Sequence, residues 1–274
     1  MLDLFFILFI MATILLVTFY RKRMYLLFKL QINRFFYRPS KKQREDIVAF
    51  LEFASPYFVA LSKALKEKFI HRFHVFARSK NFAFLYEEPD KKRIVFTACS
   101  EMTRITFGFN DYLLADFIEI YFHPQEYYLN AFGALAHGHT STRGIVTLST
   151  PKMEEGFRNT TDGNNLLLHE LAHALFIQKS KIDIDKRYAK GYQDWRNAAV
   201  KYMHLRGTNQ PAILKVYAYS NIDEMLAVST EVFFERSQEM KQNMPELFLL
   251  MTKLYNQNPI ATDSPVLDNS FLGY

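Results

Sequence analysis

Apolar residues are distributed along this chain in three patterns, and each pattern predicts a different kind of element. An uncharged and strongly apolar run over residues 4–20 would extend for about 25 Å as a helix, close to the minimum needed to span a bilayer. Alternation of apolar and polar positions over residues 117–122 predicts a strand. Apolar stretches of helical length at residues 166–177 and 222–235 predict helices of a protein core.

Charged residues around the first apolar run predict a membrane anchor that is not removed. Asp3 precedes the run and Arg21, Lys22 and Arg23 follow it, whereas a cleaved secretory signal has positive charge before its apolar core and small residues after it. Because the positive flank stays in the cytoplasm, we expect a single-pass protein of the inner (cytoplasmic) membrane whose main domain faces the cytoplasm. The predicted boundaries are 1–23 for the transmembrane signal anchor, 24–40 for a basic and aromatic juxtamembrane segment, 41–260 for one compact domain, and 261–274 for a polar tail.

The pattern beyond residue 40 predicts a mixed α+β domain. Ser40 and Gln43 have the spacing of a capping box, which would open a helix that continues to residue 53. Pro56 starts a second helical stretch that we expect to reach about residue 78. Residues 131–143, rich in Gly and Ala, predict a loop, and residues 144–149, with a β-branched centre, predict an edge strand.

Charge and cysteine content exclude several classes of protein. The chain has 34 basic and 28 acidic residues, a net charge of +6, of which residues 1–40 supply +5. The basic excess therefore belongs to the juxtamembrane segment, where it suits anionic lipid head groups, and we expect no nucleic-acid binding. Cys99 is the only cysteine, so no internal disulfide can form, in agreement with a reducing compartment. It lies in residues 93–109, a predicted helix in which we expect a buried, unreactive thiol.

The apolar stretch at residues 166–177 contains the strongest chemical signal, an H-E-x-x-H pattern formed by His169, Glu170 and His173. Residues four apart share a helix face, so both imidazoles can reach one metal ion while Glu170 lies beside that face. The alternative is a buried helix whose histidines only form hydrogen bonds, but burying two His and a Glu costs several kcal/mol unless an ion compensates them.

Two neighbouring classes of metalloprotease are excluded. A metzincin would continue the motif with Gly and a third His, where this chain has Phe176 and Lys179. An intramembrane protease would carry the motif in a spanning helix, but the apolar run here has only about a dozen residues. A third metal ligand must therefore come from further along the chain.

Carboxylates of the helix predicted at residues 222–235 are the best candidates for this third ligand. Glu224 and Glu231 are seven residues apart and share one face of that helix. The residues alone leave these two as equal candidates. Glu235 is interpreted as a solvated surface acid, and His137 and His139 as residues of a solvated loop.

Four blocks of sequence resemble the glucose-regulated metallopeptidase family typified by Mlc titration factor A. The blocks cover residues 144–149, then 163–173, then 217–234, and finally 245–259. Their order and spacing make the resemblance more specific than the five-residue motif, and a weaker likeness reaches upstream to about residue 43. The sequence departs from the family pattern after the second His, where Leu175 and Phe176 replace Leu-Asp.

The resemblance implies a zincin-like fold of the gluzincin type and a role for each site residue. One Zn²⁺ per chain would be bound by His169, His173 and Glu224, with Glu170 as general base and Tyr217 as a further catalytic residue. Glu231 falls on a second family glutamate, which we interpret as supporting a ligand rather than binding the metal. The predicted edge strand would bind an extended peptide, and we assign substrate binding to its residues, Gly144, Val146 and Leu148.

The function that we expect is that of a membrane-anchored zinc peptidase, which hydrolyses peptide bonds of a peptide or protein substrate with a zinc-activated water. The alternative is a protein-binding module that holds a regulatory protein, such as a transcriptional repressor, at the membrane. The complete set of candidate catalytic residues favours the enzyme, because a binder needs no base beside its metal. A structural zinc site is disfavoured because such sites are usually closed by four ligands and rich in Cys.

Overall fold

The computed structural model describes residues 38–129, 133–180, 186–204 and 213–261. The predicted membrane anchor, nearly all of the juxtamembrane segment and all but the first residue of the tail lie outside these ranges. Within them, no helix is both long enough and apolar enough to cross a membrane.

Helices and strands are both present, which confirms the mixed α+β class. The helices are α1 (Lys41–Ala54), α2 (Pro56–Val59), α3 (Lys63–Ser79), α4 (Lys91–Thr106), α5 (Thr150–Arg158), α6 (Leu166–Ser180), α7 (Lys186–His204), α8 (Ile222–Glu235), α9 (Ser237–Asn243) and α10 (Pro245–Tyr255), with a 3₁₀ turn at Val216–Tyr219. The strands are β1 (Asn81–Phe84), β2 (Glu119–His123), β3 (Tyr127–Leu129), β4 (Ala134–Ala136), β5 (Gly138–Ser141) and β6 (Ile145–Ser149).

Local capping signals position the first helices. The Ser40 hydroxyl accepts from the Gln43 amide and the Gln43 side chain accepts from the Ser40 amide, which confirms the predicted capping box. The predicted stretch from Pro56 is interrupted after α2, because Leu61 turns into the core and Ser62 takes an extended conformation that starts α3. In α4, Cys99 is fully buried and burial raises the pKa of its thiol, as expected for an unreactive cysteine.

Four strands form one sheet in the order β1-β2-β6-β5. The first three are parallel and β5 runs antiparallel to β6, while β3 and β4 form a separate antiparallel pair. The predicted strand at 117–122 is therefore present as β2, shifted by two residues at its start and one at its end. Helix α6 packs against β5, β6 and α8, so the motif helix lies between the end of the sheet and a second helix.

The prediction of an edge strand at residues 144–149 is wrong. Strand β6 lies inside the sheet between β2 and β5, and Val146 and Leu148 are fully buried in the core. Gly144 has a positive φ of 85°, and a Cβ there would lie 2.1 Å from the carbonyl oxygen of Asp116, so it serves the turn into β6. Gly144, Val146 and Leu148 are consequently not placed to bind a peptide.

The edge strand next to β6 is β5, which lies in a segment predicted to be a loop. Residues 134–141 form β4 and β5 although they are rich in Gly and Ala, which have low strand propensity. Strand pairing overrides that propensity: β4 pairs with β3, and β5 pairs with β6, which is itself held in place by β2. Tertiary pairing, which sequence pattern does not report, made this prediction fail.

Candidate metal centre

Helix α6, which carries the two histidines of the motif, begins at a well-defined cap. Asn165 caps it, since its side-chain oxygen accepts from the Leu168 amide at 3.0 Å. One helical turn then separates His169 and His173, whose Nε2 atoms lie 3.2 Å apart. As predicted, the two histidines share one face of the helix, so their imidazoles lie next to each other.

Helix α8 brings Glu224 to the same point. Asn221 caps this helix by accepting from the amides of Asp223 and Glu224, which places Glu224 in the first turn. Its carboxylate oxygens lie 3.2 Å from His169 Nε2 and 3.6 Å from His173 Nε2.

These three side chains have the spacing of a zinc site. Four ligands at normal zinc distances in a tetrahedron lie about 3.3 Å from one another, close to the three separations between His169, His173 and Glu224. Each of the three offers one ligand atom, and these atoms all lie within 4.8 Å of one another. Among the described residues, this is the cluster of His, Cys, Asp or Glu side chains that could hold a metal ion. The donor set of two imidazoles and one carboxylate fits zinc and leaves a position for water.

Electrostatics at this point favour positive charge. Burial opposes protonation of His169, but hydrogen bonds to Glu224 and Glu231 outweigh it and raise the pKa of His169 to about 10. Hydrogen bonds to His169 and His173 in turn hold the pKa of Glu224 well below its ordinary value. The centre thus has the field that a bound cation requires.

The sequence alone left Glu231 and Glu224 as equal candidates for the third metal ligand. In the structure, Glu231 lies on the other side of His169. Its Oε1 is 2.9 Å from His169 Nδ1, and its Oε2 accepts from the Asn165 amide at 2.7 Å. The side chain is 1% exposed. A carboxylate at Nδ1 holds that nitrogen as the donor and leaves Nε2 free to bind a metal.

Glu170, the next residue after His169, is held against the edge strand. Thr140 of β5 lies 2.8 Å from the carboxylate of Glu170 and 2.8 Å from its main-chain oxygen. Gly138 passes so close that a Cβ there would lie 2.5 Å from Glu170 Oε1. The strand therefore fixes the position of this carboxylate.

Tyr217 lies in the 3₁₀ turn, near His169. Its ring centroid is 6.1 Å from that of His169, and the side chain remains 45% exposed. Burial of the hydroxyl, together with the Glu231, Glu224 and Glu170 carboxylates, raises the pKa of Tyr217, so its phenol keeps its proton at neutral pH.

Three residues near the centre were missed or misinterpreted from sequence. Glu235 is partly buried rather than solvated: its Oε1 accepts from Asn165 Nδ2, and burial raises its pKa to about 7. Thr140 lies in the segment that the sequence predicts to be a loop, and its partner Glu170 is 30 residues away. Lys215, whose ammonium lies 2.8 Å from Glu231, gave no local signal because that partner follows 16 residues later.

Comparison with known proteins bears on the nature of this centre. The model of the family described as glucose-regulated metallopeptidase M90 matches residues 33–256. The uncharacterized protein slr2042 of Synechocystis sp. is 25% identical over 223 residues, covering 75% of this chain and 81% of that protein.

Two relatives carry the name Mlc titration factor A. The one from Pectobacterium atrosepticum is 26% identical over 136 residues, covering 45% of this chain and 49% of the relative. The one from Edwardsiella ictaluri is 25% identical over 166 residues, covering 54% of this chain and 63% of the relative. The matched segments thus span 49% and 63% of the length of these two proteins, less than two thirds in each case.

Proposed function

Because the chain belongs to the glucose-regulated metallopeptidase M90 family, we propose that it is a zinc-dependent peptidase of the gluzincin type. The observation that carries the proposal is the convergence of His169, His173 and Glu224 within 4.8 Å, with Glu170 beside them. A family of metallopeptidases implies a metal, and this donor set suits one Zn²⁺ per chain.

His169, His173 and Glu224 would hold the ion, and Glu231 would orient His169 through its Nδ1. When bound, zinc supplies a water with a pKa near 7 and a Lewis acid for the peptide carbonyl. The remaining chemistry belongs to the side chains of this chain.

Glu170 is the general base in this proposal. Its carboxylate, fixed by Thr140, takes a proton from the attacking water and later delivers it to the nitrogen of the leaving amine. The hydroxyl of Tyr217 donates a hydrogen bond to the oxyanion that develops at the substrate carbonyl, a contribution worth about 3 kcal/mol in comparable sites.

Strand β5, rather than β6, is the proposed binding edge for the substrate. It is a terminal strand of the sheet, and it contacts Glu170 through Thr140 and through the close approach of Gly138. An extended peptide that pairs with β5 would place its backbone next to the general base.

The test is turnover of a peptide library by the zinc-loaded full-length chain in detergent, compared with Glu170→Gln. This substitution keeps the metal ligands and the side-chain shape but removes the base. We expect wild-type cleavage, at least a 100-fold loss in Glu170→Gln, and equal zinc content. Glu246→Gln, an exposed acid far from the centre in sequence, is the matched control and should cleave like the wild type.

A second candidate function rests on the names of two relatives, which describe factors that titrate Mlc. By that analogy the chain would bind a regulatory protein, such as a transcriptional repressor, and its N-terminal anchor would hold that partner at the cytoplasmic face of the membrane. Equal zinc content in wild type and Glu170→Gln, with neither cleaving any peptide, would favour this binding function.

A further inference from the structure

Lys215 occupies a central position beside the metal centre. It is the residue before the 3₁₀ turn that carries Tyr217, and its carbonyl accepts from the Ala218 amide at 3.0 Å. Its ammonium lies 2.8 Å from Glu231 Oε2, 2.9 Å from Asn164 Oδ1 and 3.5 Å from the Tyr217 hydroxyl. One cation therefore contacts three oxygens from three parts of the chain.

Each of these oxygens belongs to an element that builds the centre. Asn164 precedes Asn165, the cap of α6, and that helix carries His169 and His173. Glu231 is on α8, the helix of Glu224, and is 1% exposed, so the ammonium also neutralises a buried carboxylate. The third oxygen is that of the tyrosine itself.

The chemistry of an ammonium group decides how the tyrosine is oriented. Lysine has three donors and no acceptor, so the Tyr217 oxygen must be the acceptor in this contact. The single hydroxyl hydrogen of Tyr217 then points away from Lys215 and remains available to another acceptor. A nearby positive charge also strengthens the phenol as a donor.

We propose that Lys215 is a positioning residue that holds the Tyr217 hydroxyl with its oxygen towards the ammonium and its hydrogen towards the metal centre. The proposal rests on the proposed peptidase function for its consequence in turnover. The geometry of the Lys215–Tyr217 contact itself does not depend on that function.

The test compares Lys215→Met, which keeps chain length but removes the charge, with Lys215→Arg, which restores a cation and donors. Both are made in the zinc-loaded full-length chain, alone and combined with Tyr217→Phe. We expect Lys215→Met to lower kcat about tenfold with KM and zinc content nearly unchanged, and Lys215→Arg to recover most of the loss. In the Tyr217→Phe background, Lys215→Met should lower kcat by less than twofold, because the group on which it acts is gone.

A second measurement does not require turnover. Tyrosine labelled with ¹³C at Cζ gives a resonance for Tyr217 that is assigned by its loss in Tyr217→Phe. Removal of the ammonium should shift this resonance in Lys215→Met, and Lys215→Arg should return it towards the wild-type position. If the wild type cleaves no peptide, the peptidase function fails while this resonance still decides the orientation.

Two results would overturn the proposal. One is an unchanged Tyr217 resonance in Lys215→Met. The other is a loss of kcat from Lys215→Met that is equally large with and without Tyr217, which would assign Lys215 a purely structural task at Glu231.

Discussion

Glu224 and Glu231 show, at the scale of single residues, how two identical side chains on one helix acquire different tasks. Glu224 faces both Nε2 atoms of the histidines, whereas Glu231 faces Nδ1 of His169 and is almost completely buried. In the proposed metal centre, the first carboxylate would be a ligand and the second would orient a ligand.

This difference predicts unequal effects on metal affinity. Glu224→Ala removes a ligand and should weaken zinc binding by at least 1000-fold, whereas Glu231→Gln keeps an acceptor near His169 Nδ1 and should weaken it by about 10–100-fold. Competition with a chelator at pH 7.5 measures both affinities. A larger loss in Glu231→Gln than in Glu224→Ala would exchange the two roles.

Glu235 gives a prediction for pH dependence. Burial raises its pKa from the ordinary value of 4.5 to about 7 in the folded state. Between these two values the folded protein binds a proton that the unfolded chain has released, so the free energy of unfolding falls as pH rises from about 4.5 through 7. Glu235→Gln removes this fall, which we expect to be on the order of 3 kcal/mol.

Urea unfolding of wild type and Glu235→Gln at pH 5, 6, 7 and 8 checks this prediction. The stability difference between the two proteins should change across the series in favour of the variant at high pH. Glu246→Gln, at an exposed position, is the control and should show no such trend. A constant difference between wild type and Glu235→Gln would contradict the assignment.

At the scale of elements, two buried cations hold the connection from α4 to β2 in place. Arg72 of α3 donates to the carbonyls of Thr106, Phe107 and Phe109. Lys80 donates to those of Leu113, Leu114 and Phe117 at 2.7–2.8 Å. The same connection reaches the motif helix, because the Asp116 amide donates to Gln178 of α6 at 3.1 Å.

Lys80→Met should therefore destabilise the fold. The substitution retains the apolar stem but removes a donor from three carbonyl oxygens, of which that of Leu114 still accepts from the Phe117 amide. We expect a cost of about 2–4 kcal/mol in unfolding free energy. Thermal and urea unfolding measure this cost. Lys253→Met, at an exposed position of α10, is the matched control and should change stability by less than about 0.5 kcal/mol.

At the scale of the whole molecule, the folded domain should be independent of the predicted anchor. The family match begins at residue 33 and the capping box that starts α1 begins at Ser40. A chain that lacks residues 1–37 keeps this box, so we expect it to fold cooperatively, with helical circular dichroism, and to remain in the supernatant after membranes are sedimented.

The full-length chain should instead sediment with membranes and resist extraction with alkaline carbonate, because an apolar span has no favourable aqueous state. Protease added to inverted vesicles should degrade the domain, and protease added to intact spheroplasts should not, since the positive flank is predicted to face the cytoplasm. Recovery of the full-length chain in the soluble fraction would contradict the anchor.

Much of the architecture followed from local pattern. The helix predicted at residues 222–235 coincides with α8, and the capping box at Ser40 opens α1. Predictions failed where pairing with a distant segment decided the outcome: β5 formed in a predicted loop, and β6 became an interior strand. Strand order depends on contacts between residues far apart in sequence, which a single sequence does not reveal.

The sequence by itself determined that His169 and His173 share a helix face with Glu170 beside them, because the 3.6-residue period of a helix is a local property. Only the tertiary structure decided which glutamate of α8 faces the Nε2 atoms, that Thr140 holds Glu170, and that Lys215 joins Glu231 to Tyr217. Apart from the one between Lys215 and Tyr217, these contacts join different elements, so they depend on how the helices and strands pack against one another. The physical reason is the range of the interaction: helix period and caps act over four residues, whereas packing acts over the whole chain.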